Sequence, residues 1–443
     1  MNTTEVALAI EARWVIPVIP QGVVLEHTTV LINDDGSIHA ILPTAEARAT
    51  FQATRVVRLE HHALMPGLIN LHTHAAMTLM RGMADDLPLM DWLQHHIWPA
   101  ERAVVTPRFV RDGTLLASAE MLAGGVTCFN DMYFYPDAAA EAVVQAGIRA
   151  HLGLVVMDFP SAYATDADDY LLKGLEARDG WRGTSRITSS LAPHAPYTMS
   201  DRSFEKVMTY AEQLGLGIHT HLHETRTELE QSVAQYGIRP IHRMADLGIL
   251  GPGLIAAHAV HLDEAERALL KEFGCHIAHC PASNLKLGSG IANVPAMLET
   301  GINVGLGTDG AASNNRLDMF AEMRLAALLA KGASEDAAVV PATTALEMVT
   351  INGARALGLD DNIGSIEPGK LADLVAIDMD SAICNPCFDP VSHLVYVTGR
   401  EHVTHTWVAG ELCYQEGIYA HVEPAELKEI TTQWYPKLSP FRV

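Results

Sequence analysis

Residues 63–74 have the sequence ALMPGLINLHTH, an apolar run that ends in two histidines. Its apolar residues do not alternate with polar ones, which is typical of a strand covered on both faces. His72 and His74 stand two positions apart after the run, so their side chains point the same way, about 6.6 Å apart along a strand. Two such imidazoles can bind one ion from one side. By itself the pair is a weak signal for a metal site, because the chain has 22 histidines.

Seven further apolar runs follow in the middle of the chain, with helix-like stretches between them. Together with the first they are Ala63–Leu71, Gly125–Asn130, Arg149–Met157, Ile187–Ala192, Leu216–His221, Leu254–Ala259, Cys275–His279 and Asn303–Gly307. The helical stretches include Ala138–Ala146, Asp201–Leu214 and Pro295–Thr300, each followed by a glycine where a helix C-cap belongs. Eight strands that alternate with helices predict an α/β fold, a parallel (β/α)8 barrel of the TIM type.

Both ends of the chain have a different character, since they contain short strand-like segments joined by tight turns. These segments are Val23–Leu25, Thr29–Ile32, Leu374–Ile377 and His405–Val408. We therefore expect residues 1–62 and 366–443 to form one composite β-sandwich domain. Residues 63–365 are expected to form the barrel.

The composition limits the classes of function. The chain has 30 Lys and Arg residues against 53 Asp and Glu, and 49% of its 443 residues are hydrophobic. A disordered chain would be poorer in apolar residues, and nucleic-acid binding needs basic patches that so acidic a chain lacks. We find neither a spanning segment nor a signal peptide, so no membrane partner is expected. The CxxC pair Cys384 and Cys387 fits loop thiols better than a redox or metal site, which agrees with a reducing, cytoplasmic setting.

Polar residues stand at the carboxyl ends of several of the eight runs. In a parallel barrel these ends open at one mouth, where the active site lies. The residues concerned are His72, His74, His194, His219, His221, His223, His258, His261 and Asp309. Three imidazole nitrogens and one carboxylate oxygen suit a divalent ion, zinc first, with iron and manganese as alternatives. Spacing alone leaves the choice among His219, His221 and His223 open, because alternation places all three on one face.

Two acids near these histidines have both a structural and a catalytic interpretation. Glu224 is a natural proton carrier beside a metal-bound water, but it also fits the start of the helical stretch after Thr225. Asp309 precedes Gly310 and so fits a turn, yet its place after the eighth run favours a ligand. The segment Leu191–His194 contains no lysine that could bridge two ions, which favours one metal over two.

Five stretches of the chain carry a resemblance to a known family. They are PGLINLHTH (66–74), APHAPY (192–197), HLHET (221–225), PASNLKLG (281–288) and GTDGAASNN (307–315). Together they make the chain resemble the amidohydrolase superfamily, and within it the 5′-methylthioadenosine/S-adenosylhomocysteine deaminases. The stretches span the barrel, and the β-rich ends match the small sandwich domain of the family. The last two stretches are the most specific, although guanine deaminases and triazine chlorohydrolases have similar ones.

The resemblance implies a (β/α)8 barrel that binds one divalent metal. The ligands that it implies are His72, His74, His221 and Asp309. It therefore selects His221 from its two neighbours.

The resemblance also implies a reaction, the hydrolytic deamination of an adenine nucleoside to the 6-oxo purine and ammonia by a metal-activated water. Glu224 would hydrogen-bond the purine ring and carry a proton to it. Asp309 would accept the proton of the attacking water, which His258 would help to orient. His194 would contact the substrate, and Glu101 would hold the ribose hydroxyls.

The substrates implied are 5′-methylthioadenosine, adenosine and S-adenosylhomocysteine. Some members of the family place an arginine toward the amino-acid tail of adenosylhomocysteine, in the loop after the third strand. Between Asp158 and Gly180 this chain offers Lys173 and Arg178, and neither aligns with that arginine, so we expect a smaller thioether or adenosine. The alternatives are a guanine or triazine substrate on the same scaffold and, more remotely, a non-catalytic barrel. A homo-oligomer, dimer or tetramer, is also expected from the resemblance.

Overall fold

The computed structural model describes residues 4–442, which form two eight-stranded sheets surrounded by helices. The strands are β1 (Thr4–Val15), β2 (Leu25–Ile32), β3 (Ile38–Pro43), β4 (Phe51–Pro66), β5 (Leu68–Thr73), β6 (Val126–Tyr133), β7 (Arg149–Val156), β8 (Ile187–Pro193), β9 (Ile218–Leu222), β10 (Leu254–His258), β11 (His276–His279), β12 (Asn303–Leu306), β13 (Leu374–Asp378), β14 (Val403–Val408), β15 (Glu411–Gln415) and β16 (Ile418–Tyr419).

Eighteen α-helices connect or cover the strands in the described part of the chain. They are α1 (Thr44–Thr50), α2 (Leu89–Trp92), α3 (Trp98–Val104), α4 (Pro107–Ala123), α5 (Pro136–Ala146), α6 (Ala167–Gly180), α7 (Asp201–Leu214), α8 (Arg226–Tyr236), α9 (Pro240–Asp246), α10 (Glu264–Glu272), α11 (Pro281–Lys286), α12 (Val294–Thr300), α13 (Ala311–Asn314), α14 (Met319–Ser334), α15 (Ala342–Met348), α16 (Ile351–Ala356), α17 (Pro390–Tyr396) and α18 (Pro424–Leu438). Among the helices of residues 4–442, none has both the length and the apolar character that a membrane crossing requires.

Strands β5 to β12 form the barrel, and they lie side by side in chain order with parallel neighbours. Every residue of β6 and β7 is buried, because helices cover the outside of the sheet and side chains fill its inside. The predicted helices are confirmed. They appear as α5, α7 and α12, and each ends at a glycine with a positive φ, Gly147 at 75°, Gly215 at 63° and Gly301 at 82°.

The barrel closes where the segment after β12 meets β5. There the backbone N–H of Asp309 donates a hydrogen bond to the carbonyl oxygen of His72 at 2.9 Å. Gly307 permits this approach, because a Cβ at that position would lie 2.7 Å from the backbone nitrogen of His72. Closure therefore brings Asp309 directly beside the histidine pair that follows β5.

The second sheet joins the two ends of the chain in the order β16-β15-β14-β13-β4-β1-β2-β3. Only β1 and β4 pair in parallel among the described strands of this sheet. The contact between the chain ends is the antiparallel ladder of β4 and β13, which runs from Leu374 opposite Pro66 to Asp378 opposite His62. The predicted combination of a barrel with a second β unit made from both ends is confirmed. The domain limits at residues 62 and 366 stay a prediction.

Several strand predictions are wrong in their limits, including the three that follow. Residues 63–66 belong to β4 of the second sheet, and the barrel strand begins only at Leu68. The apolar run hides this break because both sheets bury it. Strand β6 continues through Tyr133, past the predicted end at Asn130, because the polar Asp131 is buried and accepts the backbone N–H of Ala75 at 2.7 Å. At the amino end, Val23 and Val24 precede β2 and are not part of a strand.

Candidate active site

Three histidines at the mouth of the barrel present the same ring nitrogen to one point. The Nδ1–H of His74 donates to the carbonyl oxygen of Met132 at 2.6 Å, and that of His221 donates to the carbonyl oxygen of His194 at 2.8 Å. The Nδ1 of His72 lies 2.9 Å from the Nε2 of His219. With each Nδ1 engaged, the Nε2 lone pairs are free, as in histidines that bind a metal.

The free nitrogens converge on the carboxylate of Asp309. Its Oδ1 lies 3.3 Å from the Nε2 of His72 and 3.1 Å from the Nε2 of His74. The Nε2 atoms of His74 and His221 are 3.3 Å apart. One ligand atom from each of the four residues lies within 4.8 Å of the others. The Nε2 lone pairs of His74 and His221 face each other, and the buried Nε2 of His72 has no hydrogen-bond partner in the described chain. A cation at this point would bind all three nitrogens, so these residues could hold a divalent metal.

Asp309 is held from behind by two hydroxyl groups. Its Oδ2 accepts hydrogen bonds from Ser283 and Ser313, both at 2.6 Å, while its Oδ1 also accepts the backbone N–H of Gly310 at 2.8 Å. Asp309 is therefore a carboxylate whose Oδ1 is aimed at the histidines.

Glu224 lies beside the four converging residues without being one of them. It is 4% exposed, and its Oε2 is 3.9 Å from the Nε2 of His258. Burial raises the pKa of its carboxyl. The Glu228 carboxylate fixes the local backbone, because it accepts the N–H groups of Glu224 at 2.8 Å and of His223 at 2.9 Å. A rigidly placed carboxyl with a raised pKa is suited to proton transfer.

His258 and His194 complete the polar part of the site. His258 ends β10, and its Nδ1–H points to the Oδ1 of Asn284 at 2.8 Å, which leaves its Nε2 toward Glu224. The His194 ring lies 4.7 Å from that of His221, between centroids. Burial lowers the pKa of His194 to about 3, so the ring is neutral at physiological pH.

These groups open into a cavity of about 320 Å³. One part of its lining is a set of side chains that we call the outer wall, formed by Trp98, Glu101, Tyr133, Met157 and Phe159. The rings of Trp98 and Phe159 pack with centroids 5.9 Å apart. The outer wall is thus largely apolar and surrounds one carboxyl group.

That carboxyl group, Glu101, has one side-chain partner in the described chain. The hydroxyl of Tyr133 donates to its Oε1 at 2.7 Å. Burial raises the pKa of Glu101 to about 7, although the bond from Tyr133 favours the charged form. Glu101 is therefore an acceptor that faces the cavity and has few other donors to satisfy it.

The converging residues fall inside a segment with a known family pattern. The amidohydrolase family matches residues 63–413, which include His72, His74, His221 and Asp309. The chain belongs to the amidohydrolase family. A member from Teredinibacter turnerae, 5-methylthioadenosine/S-adenosylhomocysteine deaminase, is 46% identical over 99% of this chain and 99% of its own length.

Solved amidohydrolase structures resemble this one closely. An adenosine deaminase from Xanthomonas campestris, with bound zinc, has a TM-score of 0.97 and 47% identity, and the match covers 99% of this chain and 100% of that one. A mutant atrazine chlorohydrolase from Arthrobacter aurescens, complexed with zinc and atraton, has a TM-score of 0.87 at 25% identity, over 97% of this chain and 100% of that one. The barrel, its composite β unit and the metal-dependent character of the family therefore hold for this amidohydrolase.

The structure distinguishes His219, His221 and His223, which their spacing in the sequence could not do. His221 reaches the cavity, while His219 lies deeper in the barrel against His72. His223 is past the end of β9 with a φ of 56°, and its Nε2 accepts the backbone N–H of Ile241 at 3.1 Å. The expectation that all three share one face is wrong, because the strand ends at Leu222 and the backbone turns there.

Most of the other site residues predicted from the sequence lie at the same cavity. His194, His258, Glu224, Asp309 and Glu101 all line the same cavity. Lys173, in contrast, does not line it, since its Nζ bonds the carbonyl oxygen of Tyr163 and the carboxylate of Asp169. Arg102 is the one arginine or lysine among the described lining residues, and it is exposed.

Sequence reasoning missed several residues that shape the site. Tyr133 is not among the predicted site residues because the second apolar run ends at Asn130 in the prediction. Ser283, Asn284 and Ser313 were recognised only as parts of a family stretch, without roles. The apolar Met132 and the aromatic Tyr133 directly after Asp131 are the sequence signal that could have extended the second strand to Tyr133.

Proposed function

We propose that this amidohydrolase is a hydrolytic deaminase of adenine nucleosides, with 5′-methylthioadenosine as the preferred substrate. The observation that carries the proposal is the shared cavity. It holds four metal-ligating atoms, a separate buried acid in Glu224, and a second acid in Glu101 within an apolar wall. One cavity therefore combines the residues of a catalytic centre with a space large enough for a nucleoside. The names of the full-length relatives support the same reaction.

The proposed metal is a single Zn²⁺ ion held by His72, His74, His221 and Asp309. Three imidazole nitrogens and one carboxylate oxygen are a donor set that zinc accepts well. When bound, such an ion lowers the pKa of a water molecule to about 7, so that a nucleophile is available near neutral pH. The zinc in the Xanthomonas campestris structure supports this choice over iron or manganese.

The proposed chemistry assigns each proton to a residue of this chain. Asp309, ionised and steadied by Ser283 and Ser313, accepts the proton of the attacking water. His258 orients that water through its free Nε2. Glu224 donates its proton to N1 of the purine as the water oxygen bonds to C6. The proton held by Asp309 then passes to the C6 amino group, the C6–N bond breaks and ammonia leaves. The proton of the C6 hydroxyl returns to Glu224 as the 6-oxo purine forms. A metal-activated water combined with a non-ligand glutamate is also the arrangement of the zinc nucleobase deaminases.

The outer wall supports the choice of substrate. Glu101 accepts hydrogen bonds from the ribose hydroxyls, and His194 is a further substrate contact. The apolar side chains of Trp98, Met157 and Phe159 suit a methylthio group, because burial of each methylene contributes about 0.8 kcal/mol. The amino-acid tail of adenosylhomocysteine carries two charges, and Arg102 is the one exposed cation of the lining that it could meet. We therefore rank methylthioadenosine and adenosine above adenosylhomocysteine.

The test is ammonia release, together with the adenine-to-hypoxanthine absorbance change, by the zinc-loaded protein. Methylthioadenosine, adenosine, adenosylhomocysteine, guanine and a chlorotriazine are compared side by side. We expect the highest kcat/KM for methylthioadenosine. Faster turnover of guanine or of the triazine would replace the proposal with that alternative. No ammonia release from any of the five compounds, with metal bound to the protein, would favour the non-catalytic barrel.

Two further expectations accompany this proposal. We expect a homo-oligomer, dimer or tetramer, in which each chain has its own complete cavity. Because Glu101, Glu224 and the four ligand residues belong to one chain, activity per chain should not depend on protein concentration. Light scattering combined with assays over a dilution series measures both properties.

A further inference from the structure

Tyr133 stands at a point where the barrel meets the outer wall. It is the last residue of β6 and is 6% exposed, so its ring is held between the strand and the neighbouring Phe134, with ring centroids 5.1 Å apart. Its hydroxyl is directed at the Oε1 of Glu101, 2.7 Å away. The phenol is therefore a rigid donor attached to the barrel itself.

Glu101 has no such rigidity of its own. It lies on the short helix α3, and its side chain has three rotatable bonds. Among residues 4–442, no side chain other than Tyr133 donates a hydrogen bond to its carboxylate, and no cation pairs with it. The position of the Glu101 carboxylate in the cavity therefore depends on one hydrogen bond.

That bond also gives the two carboxylate oxygens of Glu101 different roles. Oε1 accepts the hydrogen bond from Tyr133, while Oε2 has no partner within residues 4–442 and is not enclosed. Because Glu101 lines the cavity, Oε2 is the oxygen left to accept a hydroxyl of the substrate. Donation by Tyr133 further favours the charged form of Glu101, which is the stronger hydrogen-bond acceptor.

We propose that Tyr133 is the positioning residue of Glu101 and that the preference of the enzyme for a sugar with hydroxyl groups depends on it. This inference rests on the proposed function, since it assigns the ribose to Glu101. It adds a determinant of sugar specificity that touches the substrate only through another residue.

The test compares adenosine with 2′,3′-dideoxyadenosine, which lacks both hydroxyls that Glu101 would hold. For the wild type we expect kcat/KM to favour adenosine by about 10- to 100-fold, the range of a hydrogen bond to a charged group. Tyr133→Phe should lower that ratio about tenfold. The loss should arise from a higher KM for adenosine, with kcat and the dideoxy substrate nearly unchanged.

A matched control and a double variant separate positioning from a structural effect. Tyr163→Phe removes another buried tyrosine hydroxyl, one with no partner in the described chain, and should keep the wild-type ratio. In a Glu101→Ala background, Tyr133→Phe should lower the ratio no further, because the group that it positions is gone. Thermal melting of each variant verifies that it is folded.

The outcomes are distinct. A wild-type ratio in Tyr133→Phe, or equal losses for both nucleosides, would overturn the inference and leave the deaminase proposal intact. A wild type that deaminates both nucleosides equally would overturn the ribose contact and this inference with it. A wild type that deaminates neither of these nucleosides, and does not deaminate methylthioadenosine either, would overturn the proposed function itself.

Discussion

At the metal end of the cavity, backbone carbonyl oxygens of the barrel hold His74 and His221, whereas in the outer wall a single side chain holds the carboxylate of Glu101. The carbonyl oxygens of Met132 and His194 fix His74 and His221, and the backbone N–H of Asp309 is bound to His72. In the outer wall, Glu101 depends on the hydroxyl of Tyr133. The metal end is thus tied to the barrel geometry, while the outer wall can change by single substitutions. Chemistry and substrate choice should therefore be separable by mutation.

The largest expected effect is at the metal end. Glu224→Gln keeps the shape of the side chain but removes its proton, so kcat should fall by about 10²- to 10⁴-fold, the usual contribution of a general acid or base. Metal content, measured by plasma emission spectroscopy, should stay at the wild-type level because Glu224 is not a ligand. Glu230→Gln, at an exposed position of α8, is the control and should change neither quantity. Near-normal turnover of methylthioadenosine by Glu224→Gln would remove this residue from the mechanism.

The outer wall should respond with a smaller and more selective change. Met157→Ala removes a buried apolar side chain that lines the cavity. We expect the KM for methylthioadenosine to rise about tenfold, the lower limit of what a hydrophobic pocket contributes to discrimination. The KM for adenosine should move less, and metal content should not move. Met157→Leu, which keeps the volume, should restore most of the affinity; equal losses for both substrates would show that the residue supports the fold instead.

The smallest expected effect is on stability and comes from Glu101. Burial raises its pKa to about 7 in the folded protein, above its unfolded value of 4.5. Between these values the folded state binds more protons than the unfolded state, so stability falls as the pH rises from 4.5 to 7. Glu101→Gln removes this pH-dependent loss of stability. The melting temperature of the variant minus that of the metal-loaded wild type should therefore increase from pH 5 to pH 8. A constant difference across this range would mean that the pKa of Glu101 is not raised in the folded protein.

The barrel could be predicted from the sequence because its strands are apolar on both faces. Such runs stand out without an alignment, and the polar residues after them mark the mouth. The limits of the strands were harder to predict. Residues 63–66 are as apolar as those after Gly67, although they belong to the other sheet, and burial of Asp131 lets β6 continue beyond the apolar run.

The proposed metal ligands were predictable in part, and the outer wall hardly at all. The spacing of His72 and His74 suggests a shared ion, but only the family resemblance distinguished His221 from His219 and His223. Tyr133, Met157 and Glu101 line the same cavity although they lie far apart in the sequence, which no spacing in the sequence reveals. Side chains that act through long-range packing are visible only in the folded chain.

We propose that one metal, held by His72, His74, His221 and Asp309, supports deamination. The most direct measurement strips the protein with a chelator and follows ammonia release from methylthioadenosine while Zn²⁺ is added back. We expect no activity in the stripped protein, a linear rise as Zn²⁺ is added, and a plateau at one equivalent per chain. Full activity without metal, or a plateau only at two equivalents, would contradict it.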